Sequence, residues 1–328
     1  STTAGARFGF ALVGLILLTN LFKYPFLLVG TRFTAVTGLS LLEGFKARNR
    51  IYLPLYLIVG LVTGTLTISA VSFVTGLLLT NIPFFSYFPA MDLAIGILVI
   101  SGLILLLGQY QALDRISKAL VLILAFLTSI AFFSLIQGGS LGDIDINFIN
   151  SKPSPWRLEN LAFLIPLMGW MPGPVELCVW PSLWMFSKSR STNHIANKEE
   201  AEFDFNLGYL ITVITALLFL SLGAFTMYGS GEAMMSSSGV SFAQNLIRLY
   251  TESIGDWARW IIIPASFAAM FSTTLTCLDA YPRSISAIQG LLQQKDRGIN
   301  SSSSESRRLK LWIILHICAS LAGLLIAR

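Results

Sequence analysis

Charge is scarce in this chain. Only 12% of its 328 residues are Asp, Glu, Lys or Arg, against about 25% in soluble domains. That shortage excludes a water-covered globule. Histidine is nearly missing: His194 and His316 are the only two, too distant in sequence to suggest a metal cluster. The three cysteines, Cys178, Cys277 and Cys318, all lie inside apolar segments, so no disulfide framework is implied. The apolar runs do not alternate with polar residues, which excludes a membrane β-barrel. No nucleophile–base pair and no nucleotide-binding loop appears, so an enzyme is not expected, and no cofactor is called for. The net charge of +5 does not point to nucleic acid, because the basic residues concentrate in loops between apolar runs.

What remains is apolar. Hydrophobic residues make up 54% of the chain and the mean hydropathy is +0.71. The composition predicts an all-α polytopic membrane protein whose first partner is the lipid bilayer. Eight spans are legible, at 8–30, 51–79, 91–108, 119–136, 160–186, 205–227, 257–290 and 311–327. Gly60 and Gly64 in the second have the spacing that lets helices approach closely. The loops 37–50, 109–118, 187–204 and 291–310 carry the Lys and Arg, whereas 80–90 and 137–159 are charge-poor or acidic. By the positive-inside rule the first set is cytoplasmic. The expected location is the plasma (inner) membrane. Residues 242–254 read as an amphipathic surface helix and 295–310 as a Ser-rich basic linker. The chain opens at Ser1 without Met and ends at Arg328 inside or beside an apolar run, so it reads as a piece cut at both ends.

The fifth span, 160–186, is the unusual one. Its centre reads Gly169-Trp170-Met171-Pro172-Gly173-Pro174, with Glu176 two residues on. Prolines and glycines in mid-helix free backbone groups, which in lipid must find protein, water or an ion. A broken helix with an acid beside it is a common way to build a midplane substrate site in secondary transporters. The plain alternative is a proline kink that shapes packing. Ionisable residues at membrane depth are the other candidates, since each costs roughly 2.5–3.5 kcal/mol on insertion scales. Glu176 could ligate a cation or carry a proton. Lys23 could pair with Glu176 or Asp279, or snorkel. Asp279 and Arg283 share a helix face four residues apart, as a local ion pair or a proton relay. Asp92 opens a span and reads as an interfacial acid. Thr273 and Thr274 either bond back to their own helix or line a hydrated path with Asp279. Met171 offers a thioether, which suits transition metals.

The pattern resembles the Nramp family of divalent-metal transporters, which share the broken-helix LeuT-like fold. Ala4-Gly5-Ala6-Arg7-Phe8-Gly9 looks like the end of that family's first helix. Met171-Pro172 matches the Met-Pro of its sixth-helix Met-Pro-His motif. The resemblance implies an inverted-repeat transporter forming a single transmembrane domain over 1–328, with 1–136 as a first repeat and 160–328 as an incomplete second one. It implies secondary transport of a divalent metal such as Mn²⁺, Fe²⁺ or Mg²⁺ as substrate, coupled to protons. Metal would be held by Met171 sulfur, the Met168 carbonyl and Gly169, at a break made by Pro172, Gly173 and Pro174. Glu176, Asp279, Lys23 and Arg283 would relay protons or charge, and Thr273 and Thr274 would line the path. The family's His is Gly173 here, which puts the usual proton route in doubt and, with Glu176, points toward harder ions such as Mg²⁺. The Asp-Pro-Gly-Asn motif of the first helix would precede Ser1. The rival readings are an amino-acid or organic-solute carrier of the same fold, and a receptor-like relative that does not transport. The oligomeric state is left open by the sequence.

Overall fold

The computed structural model describes residues 1–107, 122–123, 125–134, 154–228, 247–248, 251, 255–293 and 301–326. These residues fold into helices, without strands. In chain order the helices are α1 (Thr2–Phe8), α2 (Val13–Thr37), α3 (Leu41–Arg48), α4 (Tyr52–Leu79), α5 (Ala90–Leu106), α6 (Ala125–Ser134), α7 (Leu161–Trp170), α8 (Val179–Thr192), α9 (Lys198–Met227), α10 (Arg259–Leu292) and α11 (Ser301–Ile326). Among the described residues, six segments are long and apolar enough to cross a membrane: Thr2–Thr37, Tyr52–Leu79, Leu158–Ser189, Lys198–Phe225, Ile262–Leu292 and Glu305–Ile326. Two shorter apolar helices, Ala90–Leu106 and Ala125–Ser134, accompany them. Large apolar side chains such as Leu21, Phe22 and Leu66 are about two-thirds exposed on these segments. Such exposure suits lipid contact and would be an aggregation hazard in water. The protein is an all-helical, multi-pass membrane protein.

Three expected boundaries move. The first span is not one helix over 8–30: α1 ends at Phe8, Gly9 takes φ 56, and a short 3₁₀ turn leads into α2. Gly9 allows the break because a positive φ costs a glycine little. The loop 37–50 contains α3, started by a capping box in which the Ser40 side chain accepts from the Glu43 amide and Glu43 accepts from the Ser40 amide. That Ser-x-x-Glu signature is legible in the sequence. The linker 295–310 is helical from Ser301 onward. Most of the amphipathic stretch 242–254, the loop 137–153 and residues 108–121 lie outside the described residues.

The chain divides into two compact units, each drawn from separated segments. One comprises Ser1–Phe26, Ala119–Val175 and Asp204–Ser266. Its core gathers Ala4, Phe8, Leu12 and Ile16 with Leu164 and Leu220. Gly5 lets α1 press against the Leu220 carbonyl of α9, and Gly223 of α9 meets the Thr2 carbonyl. No Cβ fits at either crossing. The Arg7 guanidinium covers the Phe163 ring at 4.9 Å, a contact that suits a cation beside an aromatic face.

The other unit comprises Leu27–Lys118, Glu176–Phe203 and Phe267–Arg328. Its core is larger and includes Leu42, Leu53, Ile68, Leu98, Val179, Trp180, Leu278, Tyr281 and Ile288. Trp180 and Tyr281 meet edge to face at 4.9 Å. Ser182 ties α8 to the end of α2 and the start of α3, accepting from Thr34 Oγ1 and from the Leu41 amide, each at 2.8 Å. The last carbonyls of α10 are capped by cations: Lys46 Nζ donates to Leu291 O at 2.9 Å and Arg50 Nη2 to Leu292 O at 3.2 Å. Positive charge there also complements the helix dipole.

Candidate functional site: a broken helix with a cation in its carbonyls

The interruption forms where the prolines demand it. Helix α7 stops at Trp170, Met171 is extended (φ −109, ψ 120), and the chain resumes as a 3₁₀ turn at Val175–Cys178 before α8. The Met171–Pro172 peptide is cis. In an unbroken helix, Met168 O would accept from the amide of residue 172 and Gly169 O from that of residue 173. Residue 172 is a proline without an N–H, and the extended Met171 carries Gly173 away. Both carbonyls are therefore released by local chemistry alone.

Lys23 takes them. Its Nζ donates to Met168 O at 2.6 Å, to Gly169 O at 2.6 Å and to Gly173 O at 3.0 Å. An ammonium has three N–H donors, and three carbonyls receive them. Lys23 is the eleventh residue of the 25-residue α2, counting from Val13, or about 15 Å along the helix from its start. Three charge-assisted bonds, each worth about 1.5–3 kcal/mol, offset the cost of an ion within an apolar span. The break also supplies the backbone acceptors that an apolar span otherwise lacks.

The expected metal ligands have partners within the protein. The carbonyls of Met168 and Gly169 do point at a positive charge, but it is a lysine ammonium 145 residues away in sequence. Met171 packs against the apolar cluster of Ala4, Phe8, Leu12, Ile16, Leu164 and Leu220. The core offers a thioether more dispersion contact than a polar cage does. Pro172 and Pro174 are half-buried and Gly173 is buried. Among the described residues no group of three His, Cys, Asp or Glu side chains converges as a metal site. Glu176 lies in the 3₁₀ turn, half-buried. Its backbone carbonyl accepts from Tyr56 Oη at 2.9 Å.

No family model matches the chain. It is 35% identical over 298 residues to the uncharacterized protein PM0681 of Pasteurella multocida (strain Pm70), covering 90% of this chain and 67% of that protein. The chain belongs to the family of that protein. The shared length reaches far beyond the break and takes in most of the helical chain.

The other membrane charges form a separate cluster. Asp279 is 5% exposed. Its carboxylate accepts from Arg283 Nε at 2.9 Å and Nη2 at 2.6 Å, and from Trp184 Nε1 at 2.9 Å. Arg283 Nη1 reaches Ser187 Oγ at 3.0 Å. The Asp279–Arg283 spacing thus produces the local ion pair, and α8 contributes an indole and a hydroxyl that the sequence does not announce. This commitment, rather than pairing with Lys23, accounts for the Asp279 carboxylate. Beside the pair is a cavity of about 360 Å³, lined among others by Leu105, Ser306 and Lys310. Thr274 is fully buried, donates to Met270 O and lies 3.2 Å from Thr75 Oγ1. Thr273 donates to Ala269 O. Both hydroxyls bond back to their own helix, and Thr274 is packed between helices. Asp92 is exposed in the first turn of α5, where a carboxylate complements the helix dipole.

Proposed function

We propose that this protein is a secondary carrier of a hard cation, of which Mg²⁺ is the type, and that the cation passes the break at 168–174. The observation that carries the reading is the convergence of three main-chain carbonyls on one positively charged atom, Lys23 Nζ. Oxygen donors of this kind suit hard ions, whereas the soft thioether of Met171 is spent in packing. The Met-Pro sequence at the break supports placing the carrier in an Nramp-like branch with a LeuT-like inverted repeat. In that arrangement α7 and α8 form the discontinuous sixth helix, and Glu176 tunes charge beside it. A second reading has one observation in its favour. Because Lys23 already supplies a cation to the break, an amino acid or other organic solute could be the cargo, its carboxylate attracted by that fixed charge.

The test is influx into proteoliposomes carrying the full-length protein, with Mg²⁺, Mn²⁺ and Cd²⁺ supplied separately and read by an entrapped indicator dye. Saturable Mg²⁺ influx exceeding that of Mn²⁺ and Cd²⁺ is expected. Strong selection of Mn²⁺ or Cd²⁺ over Mg²⁺ would refute the oxygen-cage reading. Uptake of an amino acid in place of any metal would establish the second reading.

A further inference from the structure

The break is built to receive a primary ammonium. Two of its acceptors are orphaned by the chemistry of Pro172 and the extended Met171. The third, Gly173 O, lies within the interruption, and all three converge within 3.0 Å of one nitrogen. A spherical metal ion would be indifferent to the number of N–H bonds, but an R–NH₃⁺ group matches three acceptors one for one. We propose that this cage is an ammonium-binding site in which Lys23 is the resident and exchangeable ligand: its side chain and a free cation occupy the carbonyls in turn. The inference rests on the cation-carrier reading for what is exchanged. Its physical basis is mutual exclusion. Two like charges cannot share three carbonyls at hydrogen-bond distance without strong repulsion, so a cation that enters must move the ammonium out, and the returning ammonium must expel the cation. Lys23 would then act as an internal competitor that sets how tightly the break holds its cargo.

The experiment uses the purified full-length protein and its Lys23→Ala, Lys23→Met and Lys23→Arg variants. The thermal unfolding midpoint is followed as methylammonium chloride is titrated, with tetramethylammonium chloride at equal ionic strength as the control. Methylammonium is expected to raise the midpoint of Lys23→Ala by on the order of 3–5 °C, increasing with concentration as for a ligand that binds only the folded state. Tetramethylammonium, which has no N–H, should not do so, and methylammonium should raise the midpoints of the wild type and of Lys23→Arg by much less than that of Lys23→Ala, because the tethered side chain competes for the same carbonyls. An equal response in wild type and Lys23→Ala, or no response in Lys23→Ala, overturns the inference. If the neutral variants fold only when methylammonium is present, the site is established directly. If they fold in neither condition while Lys23→Arg folds, the ammonium is a permanent structural bond and exchange is refuted. Metal influx measured on the same preparations separates the two claims. A methylammonium response without metal influx keeps the ammonium site and removes the metal reading. Metal influx without that response does the reverse.

Discussion

Asp279→Ala is expected to loosen the contact between α8 and α10 by about 3 kcal/mol. The carboxylate is almost fully buried and accepts three hydrogen bonds, two from Arg283 and one from the Trp184 indole. Removing it strands a guanidinium and an indole N–H together. Stranding one partner of a buried pair costs about 3–5 kcal/mol. The Arg283 side chain is 26% exposed and keeps its bond to Ser187, which places the cost at the lower end of that range. Trp184→Phe removes one bond to a charged acceptor and should cost about 1.5–3 kcal/mol. Arg283→Met strands the carboxylate in turn, and the double replacement leaves neither charge. Its cost should therefore fall short of the sum of the singles, with a coupling of about 2 kcal/mol. Equilibrium unfolding in mixed detergent micelles, followed by helical circular dichroism, reads all four species. A cost for Asp279→Ala below about 1 kcal/mol, or strict additivity in the double variant, would refute the assignment of this pair as the tie between the two helices.

Two further outcomes follow from helix packing. A methyl group at Gly64 would lie 2.8 Å from Cγ of the buried Tyr281, whereas one at Gly60 would lie 3.8 Å from Ile285 Cγ1. Gly64→Ala should destabilise by about 1–3 kcal/mol through overpacking, and Gly60→Ala should stabilise by about 0.5–1 kcal/mol through helix propensity; unfolding midpoints of the same sign would count against this packing. Thr75→Val alone should cost roughly 1 kcal/mol, because it removes a partner of the buried Thr274 hydroxyl. Adding Thr274→Val should recover part of that loss, and a thermal melt of the double variant below both singles would contradict the pairing.

Chemistry that acts over one helical turn is written in the sequence. Pro172 has no N–H and Pro174 has none either, so carbonyls one turn earlier in the span at 160–186 lose their helical donors whatever surrounds them. The scarcity of charge required a membrane, and the i, i+4 spacing of Asp279 and Arg283 put them on one helix face. Ser40 and Glu43 carry a helix-start signature within a stretch whose charge otherwise suggests a loop. The residues that complete each site were not legible, because the sequence contains no measure of distance between segments. Lys23 could be named as a costly ion, but nothing in FKYPF says that its ammonium meets carbonyls 145 residues away. Trp184 and Ser187 are ordinary members of an apolar helix until α8 is laid beside α10. Met171 carries the same sulfur in any environment, and only the tertiary structure packs it against the cluster that includes Leu12 and Ile16. Backbone valence is a property of the residue and its neighbours in sequence. The partner that satisfies it is set by how helices pack, where each unmet carbonyl and each buried charge must find its complement or raise the energy of the fold.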